Sequence, residues 1–387
     1  MAKKNKKKAE LLWGVLVIII LIIWLYRDKL PPLASSLSGA FSGEAYKKLD
    51  INGSLAFSEA FTNPGCQSKS DLWSQEIHTV KAFAGLIFSG CGNYGLNTGP
   101  IIIYSYNPAS HKLTSEYVMN TEEISRFVTI GKKLYAPALD PHEPDVLDFA
   151  YRNTNSPVWT GLNPIGFAHV FDAATTTGKD LWLVGGSYNL SALAVRSLDG
   201  GKTFDPAARL ELPPLPTGYS FTRFYFAGVL NKKLYLQATD YPHAYVFDGT
   251  KWQETSVNLQ PLRNLPPGQY WDFGNRPIEF NGHLIYLAGT LGWPSRLYDF
   301  DGSKTVKSVF DQASPYYDKS IDLQVYGGTL YVLITGPQQQ IIATRNLTTW
   351  TTITTIPSTI SPRSFDILNN TFYVGTKDSK VYQAKFK

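Results

Sequence analysis

Between Arg223 and Trp252 the chain alternates three times between apolar and polar stretches. An arginine opens an apolar run from Phe224 to Val229, and the turn Asn231-Lys232-Lys233 interrupts it. Leu234-Tyr235-Leu236 starts a second run, the loop from Asp240 to His243 interrupts again, and Ala244-Tyr245-Val246-Phe247 makes a third. Asp248-Gly249-Thr250-Lys251 then sets hairpin residues ahead of Trp252. Apolar runs this short, bounded by turn residues, have the length of strands and not of helices, so the stretch predicts one four-stranded antiparallel sheet.

The same pattern recurs along the chain. The Leu-Tyr step at 234–235 has counterparts at Leu86-Ile87, Leu134-Tyr135, Leu181-Trp182, Ile285-Tyr286, Leu330-Tyr331 and Phe372-Tyr373. Successive steps lie 48, 47, 53, 51, 45 and 42 residues apart, the length of a four-stranded propeller blade and too long for a simple solenoid repeat. Gly or Asn turns precede them, as at Gly131-Lys132-Lys133, Asn281-Gly282-His283 and Gly327-Gly328-Thr329. After residue 30 no long 3.6-residue apolar period appears. The fold predicted is all-β, a seven-bladed β-propeller of four-stranded antiparallel blades over residues 50–387. Because the seventh repeat ends soon after its third strand, Lys380 to Phe386, the segment Ser54 to Thr62 is expected to supply the fourth and so cover an exposed edge.

Composition modifies this picture at the amino terminus. Residues 1–10 form a basic tail, and Leu11 to Tyr26 is a run of sixteen residues without a charge, containing Trp13, Trp24 and Tyr26. One transmembrane signal-anchor helix over 11–26 is expected, with the amino terminus cytoplasmic, a stalk over 27–49 and the propeller extracytoplasmic at the cell membrane. A cleaved signal peptide is the alternative. Seven of the 36 basic and two of the 31 acidic residues lie in the first 29 positions, so the remainder balances at 29 of each and no nucleic-acid partner is expected. The two cysteines, Cys66 and Cys91, suit a disulfide in an oxidising compartment, or two separate thiols in Gly-rich turns.

Ser197-Leu198-Asp199-Gly200-Gly201-Lys202-Thr203-Phe204 resembles the Asp-box, S-x-D-x-G-x-T-[WF], of sialidase-like (BNR-repeat) propellers. The resemblance implies a hairpin between the third and fourth strands of a blade, with Ser197, Asp199, Gly201 and Phe204 in structural positions. In that family the motif lies away from the active site and supports the fold alone. The segments Val246 to Trp252 and Thr344 to Trp350 resemble degenerate copies. The catalytic pattern of sialidases is not matched: no F/Y-R-I-P motif occurs near the propeller start, and no Tyr-Glu nucleophile is assigned.

In a propeller the innermost strands begin around the mouth of a central channel. Counting back from each Leu-Tyr step reaches His78, Arg126, His169, Arg223, Arg276, Lys319 and Arg363, a basic type in every blade. Such a ring is suited to an anionic group, for which the guanidinium fork is a good partner. The competing expectation is inter-blade ion pairing with Asp172, Glu279, Asp322 and Asp366. Aromatic and imidazole groups on the same face, Tyr241, His243, Tyr270, Trp271 and Trp293, would suit a sugar ring or a peptide side chain. The loop from Asp140 to Asp145, with His142, has neither EF-hand nor H-E-x-x-H spacing, and no metal site and no cofactor are expected. The function expected is a membrane-anchored binding or scaffold module for an anionic glycan, another anionic ligand or an extracytoplasmic protein. A glycoside hydrolase or polysaccharide lyase on the same face is the alternative.

Overall fold

A computed structural model describes residues 55–142, 149–164, 166–216, 221–239, 241–260, 276–288 and 295–386. The transmembrane segment and stalk expected over 11–49 lie outside these residues. Among the described residues no helix is long and apolar enough to cross a membrane.

Seven four-stranded antiparallel sheets follow one another along the chain. From blade 1 to blade 7 the innermost strands are Thr79–Phe83, Val128–Ile130, Phe167–Ala174, Gly228–Leu230, Ile278–Phe280, Ser320–Tyr326 and Pro362–Leu368. Each Leu-Tyr step falls on the second strand of its blade, as in Leu181–Ser187 and Thr329–Ile334, where every residue is buried. Outer strands such as Lys112–Met119 and Asp205–Leu212 are mostly exposed or half-buried, with only Met119, Ala208 and Leu212 buried. The turns between first and second strands use left-handed backbone at successive residues, with φ of 50° and 61° at Asn231 and Lys232 and 53° and 78° at Asn281 and Gly282. Asn and Gly tolerate this conformation, and the resulting two-residue loop matches the twist of the strands it joins.

Apolar clusters lie between consecutive blades. Trp182 of blade 3 packs on Phe247 of blade 4 with ring centroids 4.8 Å apart, Phe226 of blade 4 stacks on Tyr286 of blade 5 at 5.6 Å, and Phe310 meets Trp350 between blades 5 and 6 at 4.9 Å. On the outside of blade 3, Asp199 accepts from the backbone N–H groups of Lys202 and Thr203 at 3.0 and 2.9 Å, and Ser197 Oγ accepts from Gly201 N at 2.8 Å. Asp248 and Asn346 cap the corresponding hairpins of blades 4 and 6 in the same way.

The ring closes as the short seventh repeat requires. Ser58–Thr62 pairs antiparallel with Lys380–Lys385, Ser58 opposite Gln383 and Thr62 opposite Lys380. Phe61 on this strand stacks against Tyr106 of blade 1 at 4.9 Å. The chain then turns at Asn63, whose side chain accepts from Gly65 N and Cys66 N, into the short helix Pro64–Gln67. Here Cys66 is bonded to Cys91, just after the second strand of blade 1. The closing strand is thus hydrogen-bonded to blade 7 and covalently tied to blade 1. With 25 residues of separation, the cross-link restricts the unfolded chain by about 3 kcal/mol in the loop-entropy account. Replacing both cysteines by serine is expected to lower unfolding free energy by about that amount. Equal denaturant midpoints for the two proteins would remove the bond from the account of ring closure.

Candidate functional site

All seven basic positions lie at the start of an innermost strand or in the segment leading into it. The structure gives them different partners. Arg126 donates to Asp172 at 2.7 Å and to the carbonyl of Pro277 at 3.3 Å, so one guanidinium from blade 2 reaches blades 3 and 5. Arg276 donates to Asp322 at 2.8 Å and to the carbonyl of His78 at 2.5 Å, linking blade 5 to blades 6 and 1. Both arginines thus make the inter-blade ion pairs with Asp172 and Asp322 that stood as the competing expectation. A cavity of about 180 Å³ lies beside them, lined also by Lys81, Thr129 and Gln324.

Arg363 pairs with Glu76 and lies over the Trp73 ring, 5.2 Å from its centroid. His78 Nε2 lies 3.0 Å from the carbonyl of Gly92, and burial, with help from Arg363, pushes its pKa down to about 4, so the ring is neutral near pH 7. The Lys319 side chain lies along the backbone at Gly336. Asp366, three residues after Arg363, is held by Lys81 at 3.0 Å. Glu279 is exposed and accepts from Asn231 N at 3.4 Å.

Arg223 is different. Among the described residues no carboxylate lies within ion-pairing distance of it. Its Nη2 donates to His169 Nε2 at 2.9 Å, and its guanidinium lies 4.2 Å from the Phe221 ring centroid and 5.6 Å from that of Phe171. Since arginine can only donate, His169 accepts at Nε2 and carries its proton on Nδ1. Nδ1 lies 3.1 Å from both the Leu139 carbonyl and Asp140 Oδ1. The imidazole therefore fixes the guanidinium without cancelling its charge. Beneath it Leu139, Phe171 and Tyr225 form a small buried cluster against which Tyr94 packs.

Acids occupy the blade 1 and 2 side of the same face. Glu122 and Glu123 are only 6% and 4% exposed. The Glu122 N–H donates to the Asp140 carbonyl at 2.8 Å, and the Tyr94 N–H donates to Glu123 Oε2 at 3.4 Å. Burial raises Glu122 to about 7, with repulsion from Asp140 adding to it. Burial raises Glu123 to about 8 against the Tyr94 N–H, with repulsion from Glu76 and Glu122 adding to it. Near pH 7 Glu123 is a proton-bearing acid able to donate. Neither glutamate was singled out in the sequence, although two acids three and four residues ahead of an inner-strand arginine were a usable signal.

The remaining candidates sit further out. The Tyr241 hydroxyl donates to the Pro213 carbonyl at 2.9 Å and its ring packs between blades. His243 is half exposed and lies 3.6 Å from Glu254 on the outermost strand of blade 4. Tyr270, Trp271 and Trp293 lie outside the described residues. Asp140 turns to His169, and His142 meets Asn97. No cluster able to hold a metal ion occurs among the described residues.

No protein-family model matches the chain, and no curated protein matches it in sequence. Solved structures do match in fold. A catalytically inactive virginiamycin B lyase from Staphylococcus aureus with quinupristin superposes with a TM-score of 0.57 at 11% identity, covering 86% of this chain and all of that one. A chain of the mitotic checkpoint complex gives 0.54 at 10% identity, covering 92% of this chain and all of its own. The WD40 propeller domain of Doa1 gives 0.51 at 13%, covering 86% and 97%. At these identities the likeness defines the class as a β-propeller and says nothing of activity.

Two outcomes follow from the pairing pattern. Arg276→Ala leaves Asp322 buried without its cation and is expected to cost about 3 to 5 kcal/mol in urea unfolding, whereas Arg223→Ala costs about 1 kcal/mol or less. Similar losses for both would contradict the division into strap and free cation. Glu123 binds a proton more tightly when folded (about 8) than at its ordinary 4.5, so the folded state holds more protons and stability falls as pH rises from about 4.5 to about 8. Glu123→Gln is expected to flatten that decline and to be the more stable protein at pH 8. An unchanged slope would show that Glu123 does not titrate there.

Proposed function

We propose that the protein is an extracytoplasmic binding propeller, anchored through residues 11–26, that takes an anionic ligand at its channel mouth. Arg223 carries the proposal: it is oriented by His169 and by two aromatic rings and has no carboxylate partner among the described residues. A guanidinium so placed presents donors to a carboxylate without first breaking an ion pair. The Cys66–Cys91 bond supports an oxidising compartment. The capped hairpin at Ser197 to Phe204 supports kinship with Asp-box blades. Large apolar side chains are exposed on the same face at Leu72, Leu96, Tyr188 and Leu190, which supports a protein partner over a small solute.

A second function, glycoside hydrolysis or lyase chemistry on the same face, is supported by Glu122 and Glu123. Their raised values would provide a general acid near neutral pH.

Binding to an array of anionic glycans and peptides tests the first proposal. Arg223→Ala is expected to abolish the signal, while Lys202→Ala, on the exposed hairpin of blade 3, leaves it unchanged. Binding that survives Arg223→Ala would place the ligand elsewhere.

A further inference from the structure

We infer that the pocket between blades 3 and 4 captures the carboxy-terminal residue of a polypeptide, its carboxylate on Arg223 and an aliphatic side chain against Tyr188, Leu190 and Phe221. This rests on the binding function proposed above and narrows its ligand.

The cavity measures about 140 Å³, and its wall includes His169, Gly186, Tyr188, Leu190, Phe221 and Arg223. Gly186 makes the arrangement possible, because a Cβ there would come within 3.1 Å of Arg223 Cγ and 3.3 Å of the His169 ring. Tyr188 and Leu190 are each 54% exposed, in the loop after the second strand of blade 3. That loop is built and not loose: Leu190 N donates to the Ser187 carbonyl at 3.0 Å, and Thr222 N donates to the Leu190 carbonyl at 2.7 Å. Leu190 itself has φ of 64°, a costly conformation for a residue with a Cβ. The backbone accepts strain where it holds a leucine out over the pocket.

The polar inventory selects among anions. Both nitrogens of His169 are engaged, and Ser187 Oγ is occupied by Ser191 N and by Glu211. The arginine supplies the only charge-fixed donors of the wall, Tyr188 adds one hydroxyl, and carbon covers most of the remainder. A uronic acid would bury several hydroxyls here without partners, at a cost for each. A carboxylate carrying one aliphatic group has no such difficulty. Thr222 lines the cavity with its hydroxyl buried and without a hydrogen-bond partner; a rotation of that side chain toward the cavity would give an adjacent amide a partner, which a peptide end would use and a fatty acid would not. The exposed leucines elsewhere on this face extend the surface a chain longer than one residue would cross.

The experiment is calorimetric titration of the full chain with four probes: acetyl-Gly-Gly-Leu with a free carboxylate, the same peptide as its carboxamide, glucuronate and octanoate. The free-acid peptide is expected to bind, the carboxamide to bind roughly 10- to 100-fold more weakly, and the other two weakly or not at all. Leu190→Asp, an exposed change that should not disturb folding, is expected to weaken the peptide roughly 10-fold. Arg223-dependent binding of glucuronate without the peptide would overturn the peptide assignment and leave the anionic site standing. Octanoate binding as tightly as the peptide would overturn it in favour of an aliphatic acid. Binding of the peptide unaffected by both Arg223→Ala and Leu190→Asp would overturn the pocket itself, and no binding by any probe would reject the peptide ligand while the array decides the wider function.

Discussion

Seven strands converging on one axis each present an unpaired backbone edge to a narrow channel, and buried aspartates satisfy part of it. Asp172 accepts from Ala173 N on its own strand and from Ala227 N on blade 4 at 2.9 Å. Asp322 accepts from Leu323 N and from Phe365 N on blade 7, and Asp366 from Ile367 N and from Ala82 N on blade 1. A carboxylate in that position supplies acceptors that the sheets cannot, and it also brings a charge that the interior tolerates only if countered. Arg126, Arg276 and Lys81 counter it. The cations of the inner channel are therefore set by the architecture before any ligand is considered.

This accounting isolates Arg223. Three residues beyond it stands Phe226, where blades 3, 6 and 7 have an aspartate after their own basic residue. Asp172 on the preceding blade is already taken by Arg126. What remains near Arg223 is a histidine acceptor and two ring faces, which orient a guanidinium while leaving its charge available. Asp140, His169 and Arg223 thus form one connected chain that fixes the guanidinium in place.

The blades were legible in the sequence because their signals are local. A turn such as Asn231-Lys232 needs positive φ, and apolar runs of strand length need no distant partner to be recognised. The missing strand of the seventh repeat was legible because an unpaired edge demands one. The site was less so. Arg363 and Asp366 lie three apart in the sequence, yet each finds its partner on another blade or segment, Glu76 and Lys81. Arg126 and Asp172 are 46 residues apart, and nothing in either segment says which of two arginines the aspartate will hold. Tyr241 has the appearance of a ligand platform until its hydroxyl meets the Pro213 carbonyl across a loop. Glu122 and Glu123 carry no local sign of burial, which comes only when the segments at 91–94 and 140 fold against them.

Burial of those glutamates also decides the sign of the mouth. Among the described residues, Glu76 is spent on Arg363, Asp140 leans on His169, and Glu122 and Glu123 remain. If both were ionised, their field would oppose an anion at Arg223. Burial raises Glu123 to about 8 and Glu122 to about 7, so near pH 7 the two carry less than their full negative charge and oppose Arg223 less. Tyr94 lies between the two sides, its hydroxyl held far above the ordinary phenol range chiefly by burial, with Glu123 and Asp140 opposing ionisation and Arg223 favouring it. Linkage then runs in both directions: an anion on Arg223 raises the proton affinity of the glutamates, and a proton on Glu123 strengthens the hold on the anion. Keeping those acids dry thus removes part of the field that would oppose an anion at Arg223.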